Sequence, residues 1–177
     1  LPNDAGSTEG TVAFYPFSNS AEDASGEADG IARNGARYVT DTALKNPVAI
    51  LFDGFNDFVE VPTAPEYDFG TGSFSLVLWF RAEASQTGST PLVAKFGAVD
   101  QPWWALSLAD GRLRFEWRNA VTERRQIETD AATYADGFWH HVVLSVDRTQ
   151  PTPYPELWSD GSLAAVTRSG AGGSTDA

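Results

Sequence analysis

Residues 52–81 read FDGFNDFVEVPTAPEYDFGTGSFSLVLWFR, and this stretch decides the fold class. Phe52 leads into the polar turn Asp53-Gly54-Phe55-Asn56-Asp57. Phe58-Val59-Glu60-Val61 then alternates apolar with polar, the period of a half-buried strand. Pro62 and Pro65 end that strand, because proline has no N–H to give to a sheet ladder. Beyond Gly70-Thr71-Gly72 the alternation resumes in Phe74-Ser75-Leu76-Val77-Leu78-Trp79-Phe80. Phe74, Leu76, Leu78 and Phe80 fall on one face and suit a core. Ser75, Val77, Trp79 and Arg81 fall on the other, a mixed set that suits solvent or the underside of a loop. Two short strands separated by a proline-bounded loop are the seam of a β-sandwich.

The same pattern extends in both directions. Upstream, Val12 to Phe17 reads as a short strand, marked as an edge or bulge by Pro16. An acidic, glycine-containing loop from Ser18 to Gly30 follows, then a weak strand from Ile31 to Tyr38 and the wholly apolar strand Val48 to Phe52. Downstream, Trp103 to Leu108 and Leu113 to Arg118 flank Ala109-Asp110-Gly111-Arg112, a hairpin signal of the Asp-Gly kind. Alternation turns Trp104, Leu106, Leu108, Leu113, Phe115 and Trp117 inward. It turns Trp103, Arg112, Arg114, Glu116 and Arg118 outward. Gln126 to Asp130 is a further strand, and Val142, Leu144 and Val146 are the inward residues of Trp139 to Val146. A second Asp-Gly turn, Asp160-Gly161, follows Glu156-Leu157-Trp158-Ser159. No segment has sustained helical spacing with caps. The expectation is an all-β, two-sheet antiparallel sandwich or jelly roll. It has a lead-in at residues 1–11, a sandwich at 12–168 and a Gly/Ser tail at 169–177.

Composition limits the partners. The chain has 177 residues with 12 Lys plus Arg against 24 Asp plus Glu, a formal charge of −12. Nucleic acid and anionic membrane surfaces both require a basic face, so neither is expected as the main partner. No apolar run reaches the roughly 20 residues that span a bilayer, so membrane insertion is not expected. The absence of cysteine removes disulfides and thiolate metal sites. An acidic chain of this kind suits secretion, a saline environment or calcium.

Several segments together resemble the LamG-like jelly roll of the concanavalin A-like lectin/glucanase superfamily (laminin G-like domains). They are Phe14-Tyr15-Pro16-Phe17 with Asp23-x-Ser25-Gly26; Phe52-Asp53-Gly54 with Asp57-Phe58-Val59-Glu60-Val61-Pro62; Gly72-Ser73-Phe74-Ser75 with Trp79-Phe80; Asp110-Gly111-Arg112-Leu113-Arg114-Phe115; and Asp136-Gly137-Phe138-Trp139-His140-His141-Val142-Val143. Leu157-Trp158-Ser159-Asp160-Gly161 resembles the family's next hairpin. The resemblance covers roughly residues 12–166 and implies two curved antiparallel sheets with loops at one rim. It also implies a structural calcium ion near the acidic loop, held by Asp23 and backbone carbonyls, and a His140-His141 pair that serves as a structural signature. Family members close with two more strands that pair with the first. A Gly-Ser ending therefore predicts a sheet edge beside Val12 to Phe17 that is open or filled by a second chain.

Four chemical readings follow. The Asp23–Gly30 loop, with Asp23 and Asp29 as carboxylates, offers oxygen ligands of the kind a hard cation such as calcium prefers. The outward set Trp103, Arg112, Arg114, Glu116, His141 and Trp158 suits a glycan, because aromatic faces stack on sugar rings and planar polar groups bond the hydroxyls. Glycoside hydrolysis would need two carboxylates on one face, for which Glu123, Glu128 and Asp130 come nearest but have no aromatic cleft around them. His140 and His141, adjacent on a strand, point to opposite faces and cannot hold one ion together. Trp79 and Trp139 read as packing residues. The reading that results is a non-catalytic, secreted or cell-surface module that binds a carbohydrate or other ligand. Its alternatives are a structural or adhesion spacer with a protein partner at its edge, and a glycoside hydrolase.

Overall fold

Alternation of apolar and polar residues becomes strands at nearly every place the sequence shows it. The structure, a computed structural model, describes residues 10–26, 28–41, 48–67, 69, 72–96, 102–120, 123–130, 133–149 and 155–170. Most of the lead-in and of the Gly/Ser tail lies outside them. The chain divides into two units, Leu1–Asp68 and Phe69–Ala177.

The first unit holds two small antiparallel pairs. Strand β1 (Ile31–Arg33) pairs with β4 (Phe58–Glu60), and β2 (Arg37–Thr40) pairs with β3 (Val48–Leu51). Asn34 and Gly35 turn the chain between β1 and β2 at positive φ (61° and 136°), which splits the single strand expected from Ile31 to Tyr38. Val12 to Phe17, expected as a strand, is not one. The Phe14 amide donates to the Asp23 carboxylate at 2.8 Å, and its carbonyl accepts from the Ala24 amide at 2.8 Å. Pro16 has no donor and Phe17 sits at φ 53°, so no ladder can form there.

The second unit is the sandwich. One sheet has the order β12-β11-β10-β5, built from β5 (Phe74–Arg81), β10 (Trp139–Val146), β11 (Glu156–Ser159) and β12 (Ser162–Leu163). The other has the order β13-β9-β8-β7-β6, from β6 (Ser89–Lys95), β7 (Trp103–Ala109), β8 (Arg112–Ala120), β9 (Glu123–Thr129) and β13 (Val166–Gly170). Every pairing is antiparallel. Asp110-Gly111 and Asp160-Gly161 both place two successive residues at positive φ, the two-residue hairpin turn whose twist matches that of the strands. Pro91 is tolerated in β6 because that strand is an edge and is bulged between Pro91 and Val93.

Between the sheets lies one apolar core. Phe80, Val142, Leu144 and Leu157 come from the four-stranded sheet, and Leu106, Leu108, Leu113, Phe115 and Ile127 from the five-stranded sheet, all buried. Phe74, Leu76, Leu78, Trp104 and Trp117 pack against this cluster as the alternation predicts. At roughly 25 cal/mol per Å² of apolar surface removed from water, such side chains supply most of the force that holds the sheets together. With the core filled from both sides, the outward side chains left exposed in this unit lie mainly on the four-stranded sheet, because Ala105, Ser107, Ala109 and Glu116 on the outer face of the five-stranded sheet are themselves buried.

Candidate functional site

The register of the four-stranded sheet assembles an exposed aromatic face. Side chains of β5, β10 and β11 alternate, so Val77 and Trp79, His141 and Val143, and Trp158 all project away from the core. Cross-strand pairing aligns them in rows. Leu163, Trp158, Val143 and Val77 form one row across all four strands, and His141 beside Trp79 forms the next. Val77 is 64% exposed, Trp79 58%, Leu163 56% and Trp158 39%. Large apolar side chains seldom cluster at this exposure without a partner. The His141 ring lies 4.8 Å from that of Trp79. The row at one end is polar, with Glu156, Ser145 and Ser75 and the two serine hydroxyls 3.5 Å apart; the row at the other end sets Trp139, read as packing, on the same outer side, with the Arg81 guanidinium 5.6 Å from its ring. These rows carry one positive and one negative side chain, so the face is close to neutral on a chain of charge −12.

The hairpin that carries Trp158 and Leu163 is fastened beneath this face. Asp160 at its turn accepts the His141 amide at 2.9 Å and meets His140 Nδ1 at 2.8 Å, while His140 Nε2 meets Asp136 at 3.1 Å. The His140 ring packs between Phe80 and Tyr134. Tyr134 in turn bonds the Ser159 hydroxyl at 2.9 Å. Burial opposes the charged form of His140, but the hydrogen bonds to Asp160 and Asp136 outweigh it and raise its pKa above 6.5. His140 is therefore structural and His141 is at the surface, on opposite faces as adjacent strand residues must be.

The outer face of the five-stranded sheet has the other half of the expected set, and its charges are engaged with one another. Arg114 pairs with Glu128 at 2.5 Å, Arg124 pairs with Glu116, and Arg112 donates to the Thr129 and Asp130 carbonyls. Trp103 is half-buried, with Phe96 at 6.2 Å and the Arg124 guanidinium at 6.0 Å from its ring. The six residues expected to form one glycan site thus lie on two different sheets. Trp103, Arg112, Arg114 and Glu116 are on β7 and β8, while His141 and Trp158 are on β10 and β11. Trp79, read as packing, is exposed and belongs with the second group. Its signal was present in the sequence: β5 already has a full inward face, so Val77 and Trp79 on its other face have no core to enter.

Asp23 and Asp29, the expected calcium ligands, hold their own loop. Asp23 is buried, and Oδ1 accepts the Phe14 amide, the Ser25 amide at 2.9 Å and the Ser25 hydroxyl at 2.6 Å. Oδ2 accepts the Ala28 amide at 3.3 Å, and Asp29 accepts the Asp23 amide at 3.0 Å. Burial pushes the Asp23 pKa up, but these hydrogen bonds prevail and leave it below 3.8. The Asp23 carboxylate is thus engaged by donors of its own loop and of Phe14. Among the described residues, no three His, Asp or Glu side chains gather into one cluster; a calcium ion held largely by backbone carbonyls would not require one. Of the carboxylates weighed for hydrolysis, Glu128 is taken by Arg114 and Asp130 accepts the Thr167 hydroxyl at 2.6 Å. The side chain of Glu123 lies outside the described residues.

Comparison with known families adds one match. The model of a family described as Clostridium neurotoxin, N-terminal receptor binding, matches residues 18–164. The chain belongs to that family. The match runs through both units and takes in β5, β10 and β11 with their exposed aromatic residues. Neither a curated protein nor a solved structure matches the chain significantly.

Proposed function

We propose that this protein is a non-catalytic binding module of a secreted protein, and that its ligand is a carbohydrate held on the outer face of the four-stranded sheet. One observation carries the reading: Trp79, His141 and Trp158 stand together on a continuous, exposed and nearly neutral sheet face. Indole rings offer a large apolar surface of fixed shape, which matches the C–H face of a sugar ring, while His141, Ser75 and Ser145 offer donors and acceptors to hydroxyls. A family whose description names receptor binding supports a binding role and a secreted setting. The engagement of Glu128 and Asp130 by other side chains supports a role without catalysis. The LamG-like resemblance remains our reading of the wider fold and points to the same kind of ligand.

A glycan array with the purified chain tests this, followed by retention on the polysaccharides that score. Binding that Trp79→Ala removes and Trp103→Ala leaves intact is the expected result. Binding removed by Trp103→Ala alone would move the site to the five-stranded sheet. A second reading, a spacer that takes a protein strand at its edge, is favoured by β5. This eight-residue strand has β10 as its only strand partner among the described residues and carries no proline or lysine to blunt its other side. Absence of any glycan signal, with capture of an extended peptide along β5, would support it.

A further inference from the structure

Resting on the carbohydrate reading above, we infer that the ligand is an extended, neutral polysaccharide chain that lies diagonally across β5, β10 and β11 and touches Trp79 and Trp158 at once. Three features of the face lead there.

The first is its shape. A site for a small sugar is a concavity that encloses most of its ligand. Here the contact residues stand on a regular sheet and project from it, with His141 and Val143 on the strand between the two indoles. Such a surface cannot surround a monosaccharide, but it can lie along a polymer.

The second is spacing. Trp79 is paired with His141, and Trp158 with Val143 two residues further along β10. Two strand spacings and a two-residue step separate the tryptophan backbones by roughly 12 Å. One sugar ring cannot cover both indoles, whereas a chain of a few linked rings can. His141, at 4.8 Å from Trp79 and on the strand between, lies on that path.

The third is charge. The rows carry Arg81 and Glu156, with the half-exposed Asp160 carboxylate opposite His141 at the hairpin, and the chain as a whole is at −12. An anionic polymer would be repelled by the molecule's field and would find no basic cluster on the face. A second copy of this acidic chain would meet the same repulsion.

The test uses the full chain and ladders of neutral β-glucan, mannan and chitin oligosaccharides from the monosaccharide upward, with a uronic-acid ladder beside them, all read by titration. Affinity for one neutral ladder should rise with length until both tryptophans are spanned and then level off. Trp79→Ala and Trp158→Ala should each cost about tenfold on the long oligosaccharides and leave little dependence on length. Trp79→Phe, which keeps a ring, should retain most of the binding, and thermal melting checks that each variant is folded. A monosaccharide that binds as tightly as the longest oligomer would overturn the inference and leave the carbohydrate reading standing. So would binding of the acidic ladder alone, or a Trp79→Phe variant as weak as Trp79→Ala. If no carbohydrate binds in any form, the carbohydrate reading itself fails.

Discussion

The two outer faces of the sandwich use similar raw material to opposite ends. Both carry a tryptophan at an outward strand position and both flank it with polar residues. On the five-stranded sheet the flanking residues complete one another: Arg114 with Glu128, Arg124 with Glu116, and Arg124 again over Trp103. On the four-stranded sheet Val77, Trp79 and Leu163 are more than half exposed and project outward in adjacent rows. A self-satisfied face has little to gain from a ligand, since each new contact must first break an old one. An apolar face in water gains from nearly any partner of the right shape. Polar and charged residues on a sheet are thus weak evidence for a site, and exposed aromatics on a sheet with a full core are stronger evidence.

The sharpest way to break this contrast is to remove the aromatics from one face at a time. The double variant Trp79→Ala/Trp158→Ala should lose about a hundredfold in affinity for a polysaccharide ligand, or roughly 3 kcal/mol at hot-spot magnitudes. Its Tm should shift little, because exposed side chains outside the core contribute little to folding. Trp103→Ala should leave binding unchanged. If the two variants exchange these behaviours in a retention assay, the faces have been assigned the wrong way round.

The complementary experiment is on the five-stranded face. Glu128→Ala leaves the half-buried Arg114 guanidinium without its carboxylate, a loss of about 1–3 kcal/mol in stability. Binding to polysaccharide should not change. A denaturant titration gives the stability and the retention assay gives the binding. A variant that is fully stable would mean that this face is not held by its ion pairs.

How much of this was legible beforehand follows from what alternation can and cannot encode. It assigns each residue to one side of its own strand, and it did so correctly for Phe74 to Phe80, for Leu113 to Trp117 and for Val142 to Val146. It does not say which sheet a strand joins, because that depends on pairing between segments far apart in sequence. Alternation alone therefore groups Trp103 with Trp158, although β7 and β11 belong to different sheets. Val12 to Phe17 failed for a different reason. Its apolar composition suits a strand, but Asp23, nine residues away, takes the Phe14 amide that a ladder would have used. Side-chain competition for a backbone group is invisible to a pattern of hydrophobicity.

The open face also depends on the fastening beneath it, and pH addresses that. His140 has its pKa raised by Asp160 and Asp136, so its contribution is complete below 6.5, the unfolded value, and is lost as pH rises through the folded value. Asp160 and Asp136 are shifted the other way. Burial raises Asp160, but its bonds to His140 and the His141 amide prevail and lower it, while the Phe138 amide leads in lowering Asp136. Their contributions are present above 3.8 and fade as pH falls through the folded values. Stability should therefore be greatest in mildly acidic solution and decline on the alkaline side of 6.5. A His140→Gln variant should lack that alkaline decline. Thermal melts across pH that fall in parallel for both proteins would remove His140 from the explanation.

Calcium is the smallest expected effect and the one that separates the aromatic face from the acidic loop most directly. If a bound ion organised the loop at Asp23, chelation would lower the melting temperature, and any ligand contacts near that loop would weaken with it. The Asp23 carboxylate instead accepts four hydrogen bonds from Phe14, Ser25 and Ala28, so the loop has its organising charge and its donors within the chain. EDTA should then shift the melting temperature by less than about 1 °C, within the ordinary scatter for changes that touch no folded-state contact. Asp23→Ala should lower it, because the Phe14, Ser25 and Ala28 amides lose their acceptor. Binding on the aromatic face should be the same with calcium and with EDTA, since Trp79, His141 and Trp158 need no ion to present their rings. A melt that drops in EDTA and recovers on adding calcium would return the ion to the loop. If polysaccharide binding dropped with it, the acidic loop and not the aromatic face would be the place to look for the ligand.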